Sequence, residues 1–166
     1  MNLLGLLNIY RNFLSRGSGI DRAEICLLSE STGDKIVFPV PPANLPEVQS
    51  EQKNDTFESV IGDISTIGLL GLRTVSFEKL LCPSDNSKYP FARGSEGQDI
   101  INFINKSRLS DSPFRLIITR SDVTYLNMLA VIDSFSYYLD NTNDYYIDID
   151  FREYRFYNQT TGALES

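Results

Sequence analysis

The stretch from residue 131 to residue 157 constrains the fold most, because two runs of alternating apolar and polar residues flank one short polar loop. The loop runs from Asp140 to Asp144. Alternation with a period of two is typical of a β-strand with one dry and one wet side. The dry face of the second run carries Tyr145, Ile147, Ile149 and Phe151. The wet face carries Tyr146, Asp148, Asp150 and Arg152. The stretch therefore predicts a long β-hairpin.

The second run then changes phase. Glu153 and Arg155 occupy the parity that had been apolar, whereas Tyr154 and Phe156 occupy the parity that had been charged. Because successive side chains point to opposite faces, such a slip requires a β-bulge or a strand that leaves one environment for another. We expect the residues from Arg152 to Phe156 to mark where the chain passes from its own core to the surface of a partner.

Length, charge and cysteine content narrow the class of protein. A chain of 166 residues fits one domain, and such a domain buries about 70% of its unfolded surface, so it needs no metal or disulfide to fold. The 15 basic and 22 acidic residues give a net charge of −7 without any basic run, which argues against a nucleic acid or an anionic membrane as partner. Cys26 and Cys82 lie far apart without a CxxC motif, which predicts buried, reduced thiols.

The first 14 residues have the spacing of an amphipathic helix. Its apolar stripe includes Leu3, Leu6, Leu7, Tyr10, Phe13 and Leu14. The segment is shorter than the roughly 20 apolar residues that span a bilayer, and it lacks the basic start and cleavage site of a signal peptide. Arg16 to Gly19 resembles a hinge, so the helix either packs on its own domain or binds a partner. We divide the chain into helix and hinge (1–19), a β-rich domain (20–158) and a flexible tail (159–166).

Several further strands are expected between these ends. Ala23–Leu28 and Lys35–Val40 flank a polar turn and predict a hairpin, and Thr56–Ile64 is expected to pair with Arg73–Leu81. The remaining runs with strand character are Phe114–Thr119 and Leu126–Leu139.

One internal helix is expected at Glu96–Arg108, because Ser95 and Gln98 have the spacing of a capping box. Strands outnumber helices, and the helix lies between β runs. These elements predict an α+β fold, a mostly antiparallel β-sandwich or open barrel with one internal helix and the N-terminal amphipathic helix.

The residues offer little for catalysis. The chain contains no histidine, which removes the histidine-dependent nucleophilic triads, histidine metal ligands and the commonest general base. No phosphate-binding glycine motif occurs either. The remaining candidates are Asp148 and Asp150, close to Asp140 and Asp144, as a calcium site or an acid and base pair. Alternating charges are equally typical of the solvent side of an antiparallel strand, and this interpretation is the stronger one. We expect no cofactor, metal or small-molecule substrate.

Aromatic residues favour contact surfaces instead. The chain contains nine Tyr and ten Phe, and tyrosine is enriched at interfaces because it combines apolar area with a polar tip. The candidate interface residues in the C-terminal hairpin are Tyr137, Tyr138, Arg152, Tyr154, Arg155 and Phe156. Those in the N-terminal helix are Leu3, Leu7, Tyr10 and Leu14.

The order of segments resembles a known family. The segments are KIVFPVPP from Lys35, GLRTVSFE from Gly71, the Cys-Pro loop that ends at Phe91, DIINFI from Asp99, FRLIIT from Phe114 and DIDFREYRF from Asp148. This order, and Arg152 to Phe156 above all, is similar to the baseplate or tail-assembly proteins of contractile phage tails and phage-tail-like bacteriocins, of the PBSX-prophage type. The resemblance covers about residues 36–157.

The resemblance implies a structural role without catalysis, in a subunit that joins the central hub or spike to the end of the tail tube and to the wedges. It implies a fold similar to the β-sandwich with a flanking helix of tube and hub proteins. It also implies a place in the tail baseplate, assembled in the cytoplasm of a bacterial host. Members often carry a peptidoglycan-binding LysM module after this domain, but Asn158 to Ser166 are too few for one.

Two other functions stay open. The first is a carboxylate-dependent glycan hydrolase or lyase of the tail that uses Asp148, Asp150 or Glu153. The second is a free-standing protein-binding module outside any particle.

Overall fold

A large antiparallel sheet forms the centre of the protein in a computed structural model that describes residues 22–110, 112–121, 123–158 and 163–165. The strands are β1 (Ala23–Ser29), β2 (Lys35–Val37), β3 (Val48–Gln49), β4 (Asp55–Ser59), β5 (Gly62–Thr66), β6 (Thr74–Pro83), β7 (Phe114–Arg120), β8 (Val123–Leu139), β9 (Asp144–Glu153), β10 (Phe156–Asn158) and β11 (Ala163–Glu165). The helix α1 spans Gly97–Arg108.

Seven of these strands form the main sheet in the order β2-β1-β7-β8-β9-β6-β3. Every pairing within it is antiparallel. Two further pairs stand apart as two-stranded sheets, β4 with β5 and β10 with β11. The antiparallel α+β class is therefore confirmed. The predicted N-terminal helix and hinge, residues 1–19, lie outside the described residues.

The long C-terminal hairpin is confirmed as β8 and β9. Its register places Tyr145 opposite Leu139 and Phe151 opposite Ile132. The dry face is the predicted one, since Ile147, Ile149 and Phe151 are all buried. A β-bulge interrupts β8 at Asp133, where the register shifts between Ile132 and Ser134.

The core lies between the dry face of the sheet and α1. The helix contributes Ile100, Ile101 and Ile104, which are fully or almost fully buried. Their spacing of one, three and four residues puts them on one side of the helix. Aromatic rings fill the sheet side, where Phe77 and Phe151 meet edge to face at 6.0 Å.

The predicted capping box at the start of α1 is wrong. The N-cap is Glu96, one residue later than expected, and its side chain makes no capping hydrogen bond. Ser95 is occupied elsewhere, because its hydroxyl accepts a hydrogen bond from the backbone N–H of Val37 at 3.3 Å. Gln98 accepts a hydrogen bond from the hydroxyl of Tyr145 at 2.7 Å. Long-range contacts with the sheet therefore replace the local cap.

The expected pairing of Thr56–Ile64 with Arg73–Leu81 is also wrong. Residues 55–59 pair with residues 62–66 instead, because the chain reverses at Val60 and Ile61 and Gly62 adopts a φ of +115°. The strand from Thr74 pairs with β9 and β3. The first hairpin is confirmed, although β2 ends at Val37 because Pro39 has no N–H for the ladder.

We predict that Gly97→Ala destabilises the fold by about 1–3 kcal/mol. A Cβ at this position would lie 2.4 Å from the carbonyl oxygen of Cys82 and 2.6 Å from the ring of Tyr145, so helix and sheet would have to separate. Urea unfolding measures the change. Asn105→Ala on the exposed side of α1 is the control and is expected to leave the midpoint unchanged or slightly raised. Equal midpoints for Gly97→Ala and the wild type would contradict this packing.

Candidate functional site

The strand β8 extends beyond its neighbour β7. The strand β7 pairs with β8 only from Val123 to Ala130, whereas β9 pairs with β8 from Ala130 to Leu139. Among the described residues, no strand pairs with the outer side of β8 from Val131 to Leu139. We call this segment the open edge. An unpaired edge presents backbone N–H and C=O groups that can pair with another chain.

Apolar side chains continue along the open edge on the face that faces the core. After the bulge, Phe135 and Tyr137 lie opposite Ile149 and Ile147. The rings of Phe135 and Tyr137 are 5.5 Å apart. Tyr137 and Leu139 are nevertheless 47% and 50% exposed. The dry face of the sheet therefore reaches the open edge without a cover from the described residues.

The opposite face of the open edge carries a tyrosine pair. Tyr138 stacks on Tyr146 with ring centroids 5.2 Å apart and an interplanar angle of 12°. Half of the Tyr138 surface stays exposed, at 49%. The stack holds an amphipathic side chain in one orientation, which lowers the entropy lost when a partner binds. The predicted interface residues Tyr137 and Tyr138 thus lie on opposite faces of the same open edge.

The turn between β8 and β9 is held by the buried carboxylate of Asp144. It accepts hydrogen bonds from Lys88 Nζ at 2.9 Å, the Tyr89 hydroxyl at 2.8 Å and the Thr142 hydroxyl at 3.0 Å. Asp140 accepts hydrogen bonds from the backbone N–H groups of Thr142 and Asp144. These contacts make the end of the hairpin rigid.

The same contacts set the ionisation of Asp144. Burial acts to raise the pKa of this carboxyl, but the hydrogen bonds from Lys88, Tyr89 and Thr142 and the charge of Lys88 outweigh burial and lower the pKa. The hydrogen bond to Asp144 in turn raises the pKa of Tyr89. Asp144 is therefore ionised, and its hydrogen bonds hold the turn between β8 and β9 in place.

A second buried carboxylate, Glu153, ends β9. It is 2% exposed and receives Arg73 Nη2 at 2.6 Å, Arg73 Nε at 3.0 Å and the Arg73 backbone N–H at 3.0 Å. Arg155 donates to its other side. Burial acts to raise the pKa of Glu153, but the hydrogen bonds from Arg73 and Arg155 and the charge of Arg73 outweigh burial and lower the pKa. Arg155 also donates to the carbonyl oxygens of Leu70 and Gly71, at 3.2 Å each.

The phase change of the sequence coincides with the end of β9. Glu153 keeps the inward parity of the strand, and the chain then leaves the main sheet to enter β10 at Phe156. Tyr154 and Phe156 are 39% and 40% exposed, beyond the last residue of β9. Arg152 pairs with Asp133 across the strands at 2.8 Å. The remaining predicted interface residues, Leu3, Leu7, Tyr10 and Leu14, lie outside the described residues.

The structure gives Asp148 and Asp150, the carboxylates considered for catalysis, different neighbours. Asp148 accepts a hydrogen bond at 2.7 Å from the backbone N–H of Lys79, which has a φ of +52° in a β-bulge of β6 between Phe77 and Leu80. Asp150 lies on the wet face between Ser76 and Ser134. Within the ranges that the structure describes, no group of three or more His, Cys, Asp or Glu side chains is placed to hold a metal ion.

The two cysteines are buried and unpaired, as the buried thiols predicted from the sequence require. Burial raises the pKa of Cys26 to about 11 and that of Cys82 to about 12. Both side chains are therefore protonated thiols at neutral pH and weak nucleophiles.

Sequence reasoning missed the partners of both buried carboxylates. Lys88 ends a short 3-10 helix (Asn86–Lys88) before α1 and Tyr89 follows it, whereas Arg73 lies 80 residues from Glu153. The available signal was Glu153 itself, because a charged residue at an inward strand position requires a partner. Its position predicts that a cation is present but not which one.

No protein-family model matches the chain, and no curated protein matches it. The described residues include no helix that is long and apolar enough to cross a membrane.

We predict that Glu153→Gln lowers the free energy of unfolding at pH 7 by about 1–3 kcal/mol, because two arginines lose their carboxylate partner. The arginine side chains are 30% and 18% exposed, so the loss lies below that of a fully buried pair. Because the pKa of Glu153 is lower in the folded than in the unfolded protein, its ionised carboxylate stabilises the fold at pH values above the unfolded-state pKa. This stabilisation is lost as the pH falls through the folded-state pKa.

The difference between wild type and Glu153→Gln should therefore shrink as the pH falls below about 4.3. Urea unfolding at pH 7, 5, 4 and 3 measures it. Glu78→Gln, at an exposed position of β6, is the control and should show no such difference. A constant difference from pH 7 to pH 3 would contradict an ionised Glu153.

Proposed function

We propose that this protein is a non-enzymatic structural subunit of a contractile phage tail or phage-tail-like particle, placed in the baseplate between the central hub or spike and the end of the tail tube. The order of segments from Lys35 to Phe156 supports this proposal through its resemblance to baseplate and tail-assembly proteins. Its partners would be other tail proteins, namely hub or spike, tube and wedge subunits. Assembly would take place in the cytoplasm of the bacterial host.

The open edge is the observation that carries the proposal. A partner strand that pairs with Val131–Leu139 would extend the main sheet and gain backbone hydrogen bonds along its length. Alternate apolar side chains of that strand would cover Tyr137 and Leu139 on the dry face. Strand addition of this kind joins subunits without a pocket or a reacting group, which suits an assembly component.

Two further features support the absence of catalysis. The buried carboxylates Asp144 and Glu153 are held by cations and hydroxyls of the protein itself. Asp148 accepts a hydrogen bond from the backbone of the β6 bulge. The finer form of the fold, a β-sandwich or open barrel similar to tube and hub proteins, is part of the proposal. The antiparallel sheet with one helix on its dry face is compatible with it.

Deletion of the gene tests the proposal. We expect negative-stain microscopy of the producing cells to show no complete contractile tails without it. Complementation with the double variant Tyr137→Ser/Leu139→Ser should restore tails poorly. We expect a particle yield about tenfold or more below that of the wild-type gene, because each change removes apolar contact with the added strand. Val123→Ser is the matched control, because Val123 is exposed at the other end of the same strand.

Unfolding midpoints of the purified variants separate loss of docking from loss of folding. The double variant is expected to keep a cooperative transition, because both side chains are about half exposed. Complete, contractile tails in the deletion strain would exclude the proposed function. Full complementation by the double variant would remove the open edge as its basis.

A further inference from the structure

A second surface projects from the protein at β4 and β5. Each of these strands pairs only with the other, and all their residues are exposed except Ser59, which is half-buried. We call residues 51–72 the arm. An isolated two-stranded hairpin is at best marginally stable in water. An arm of this kind therefore depends on contacts at its root for its stability.

The arm concentrates exposed apolar side chains. Eight of the seventeen large apolar or tyrosine side chains exposed in the described part of the chain belong to it. Phe57 lies directly opposite Ile64 on one face. Val60 and Ile61 at the tip are 107% and 90% exposed. Single exposed apolar residues are ordinary, but a contiguous group marks an interaction site.

The tip residues are unusual for a turn. Two-residue hairpin loops favour asparagine, aspartate and glycine, which adopt the required backbone conformations. Here the loop consists of two β-branched apolar residues, and Gly62 after them supplies the positive φ of +115°. Val60 and Ile61 therefore contribute nothing that the turn itself needs. Their side chains are suited to contact with another molecule.

The root of the arm is held tightly. Its two chains approach so closely that a Cβ at Gly68 would lie 1.4 Å from the carbonyl oxygen of Lys53. Backbone bonds join Lys53 to Leu69 at 3.0 Å and Gly71 to Glu51 at 2.6 Å. Arg155 anchors this root, since it bridges the carbonyl oxygens of residues 70 and 71 to the buried Glu153. The arm is thus oriented before any partner binds, which favours affinity.

The charge of the arm indicates which charge its partner carries. The arm carries four acids, Glu51, Asp55, Glu58 and Asp63, against a single basic residue, Lys53 at its root. Glu58 and Asp63 lie directly opposite each other on the face away from Phe57. Like charges in this position destabilise a strand pair, and a cation between them would relieve the repulsion.

We propose that the arm inserts its apolar tip into a cleft of a partner protein whose rim carries lysine or arginine side chains against Glu58 and Asp63. A second copy of this chain fits less well, because its net charge of −7 repels the acidic arm. An anionic bilayer is disfavoured for the same reason. The inference goes beyond the proposed function and does not depend on the nature of the particle.

Site-specific photo-crosslinking in the cells that produce the full chain tests the arm. Benzoylphenylalanine replaces Ile61, and at the control position it replaces Asn105 on the exposed side of α1. We expect a crosslink from position 61 to a different protein, at a peptide with lysine or arginine next to apolar residues. The charge-reversed double variant Glu58→Lys/Asp63→Lys should lower its yield about tenfold or more, because like charges would then meet at the rim.

A charge-matched double variant separates this effect from net charge. Glu47→Lys/Glu78→Lys changes the charge equally at exposed positions outside the arm and should keep the yield. The neutral pair Glu58→Gln/Asp63→Asn should give an intermediate yield and provides a milder test if charge reversal impairs folding. A crosslink to a second copy, to lipid or to a peptide without basic residues would overturn the inference. So would equal losses in the two lysine variants, or no crosslink above that of position 105.

Discussion

The pairing of β8 with β9 is the interaction on which the rest of the structure depends. β9 lies between β8 and β6, and its inward row from Tyr145 to Glu153 forms the middle of the dry face that α1 covers. The same pairing creates the open edge, because β9 follows β8 to Leu139 whereas β7 stops opposite Ala130. A mismatch in strand length, rather than any local motif, produces the candidate docking surface.

Buried carboxylates fix both ends of β9. Asp144 at its start binds the loop of Lys88 and Tyr89, and Glu153 at its end binds Arg73 and Arg155. Each links the central strand to a segment more than 50 residues away in sequence, except for Arg155. The result is that the hairpin tip and the root of the arm are both attached to one rigid strand. Removing either carboxylate would leave its partly buried cations without their ion-pair partner.

The sequence predicted the parts of the fold that depend on local periodicity. The alternation of Tyr145, Ile147, Ile149 and Phe151 was sufficient for the hairpin and its dry face, because a period of two has one structural meaning. The predicted cap of α1 is wrong because a long-range contact occupies Ser95, and the predicted pairing of Thr56–Ile64 is wrong because a local turn divides this run. The Ser95 hydroxyl accepts a hydrogen bond from the backbone N–H of Val37, and the chain reverses at Val60 and Ile61 within the run Thr56–Ile64. The open edge was beyond prediction, since it requires the relative lengths of three strands.

Hydrogen exchange measured on the open edge tests the central claim most directly. The amides of Val131–Leu139 are compared between the isolated protein and the assembled particle, with Leu126–Ala130 of the same strand as the internal reference. Backbone groups that pair with an added strand become protected, whereas the reference residues already pair with β7. We predict fast exchange of outward amides of the open edge in the isolated protein and strong protection in the particle. Equal exchange of the open edge in both states would contradict its role as a docking surface.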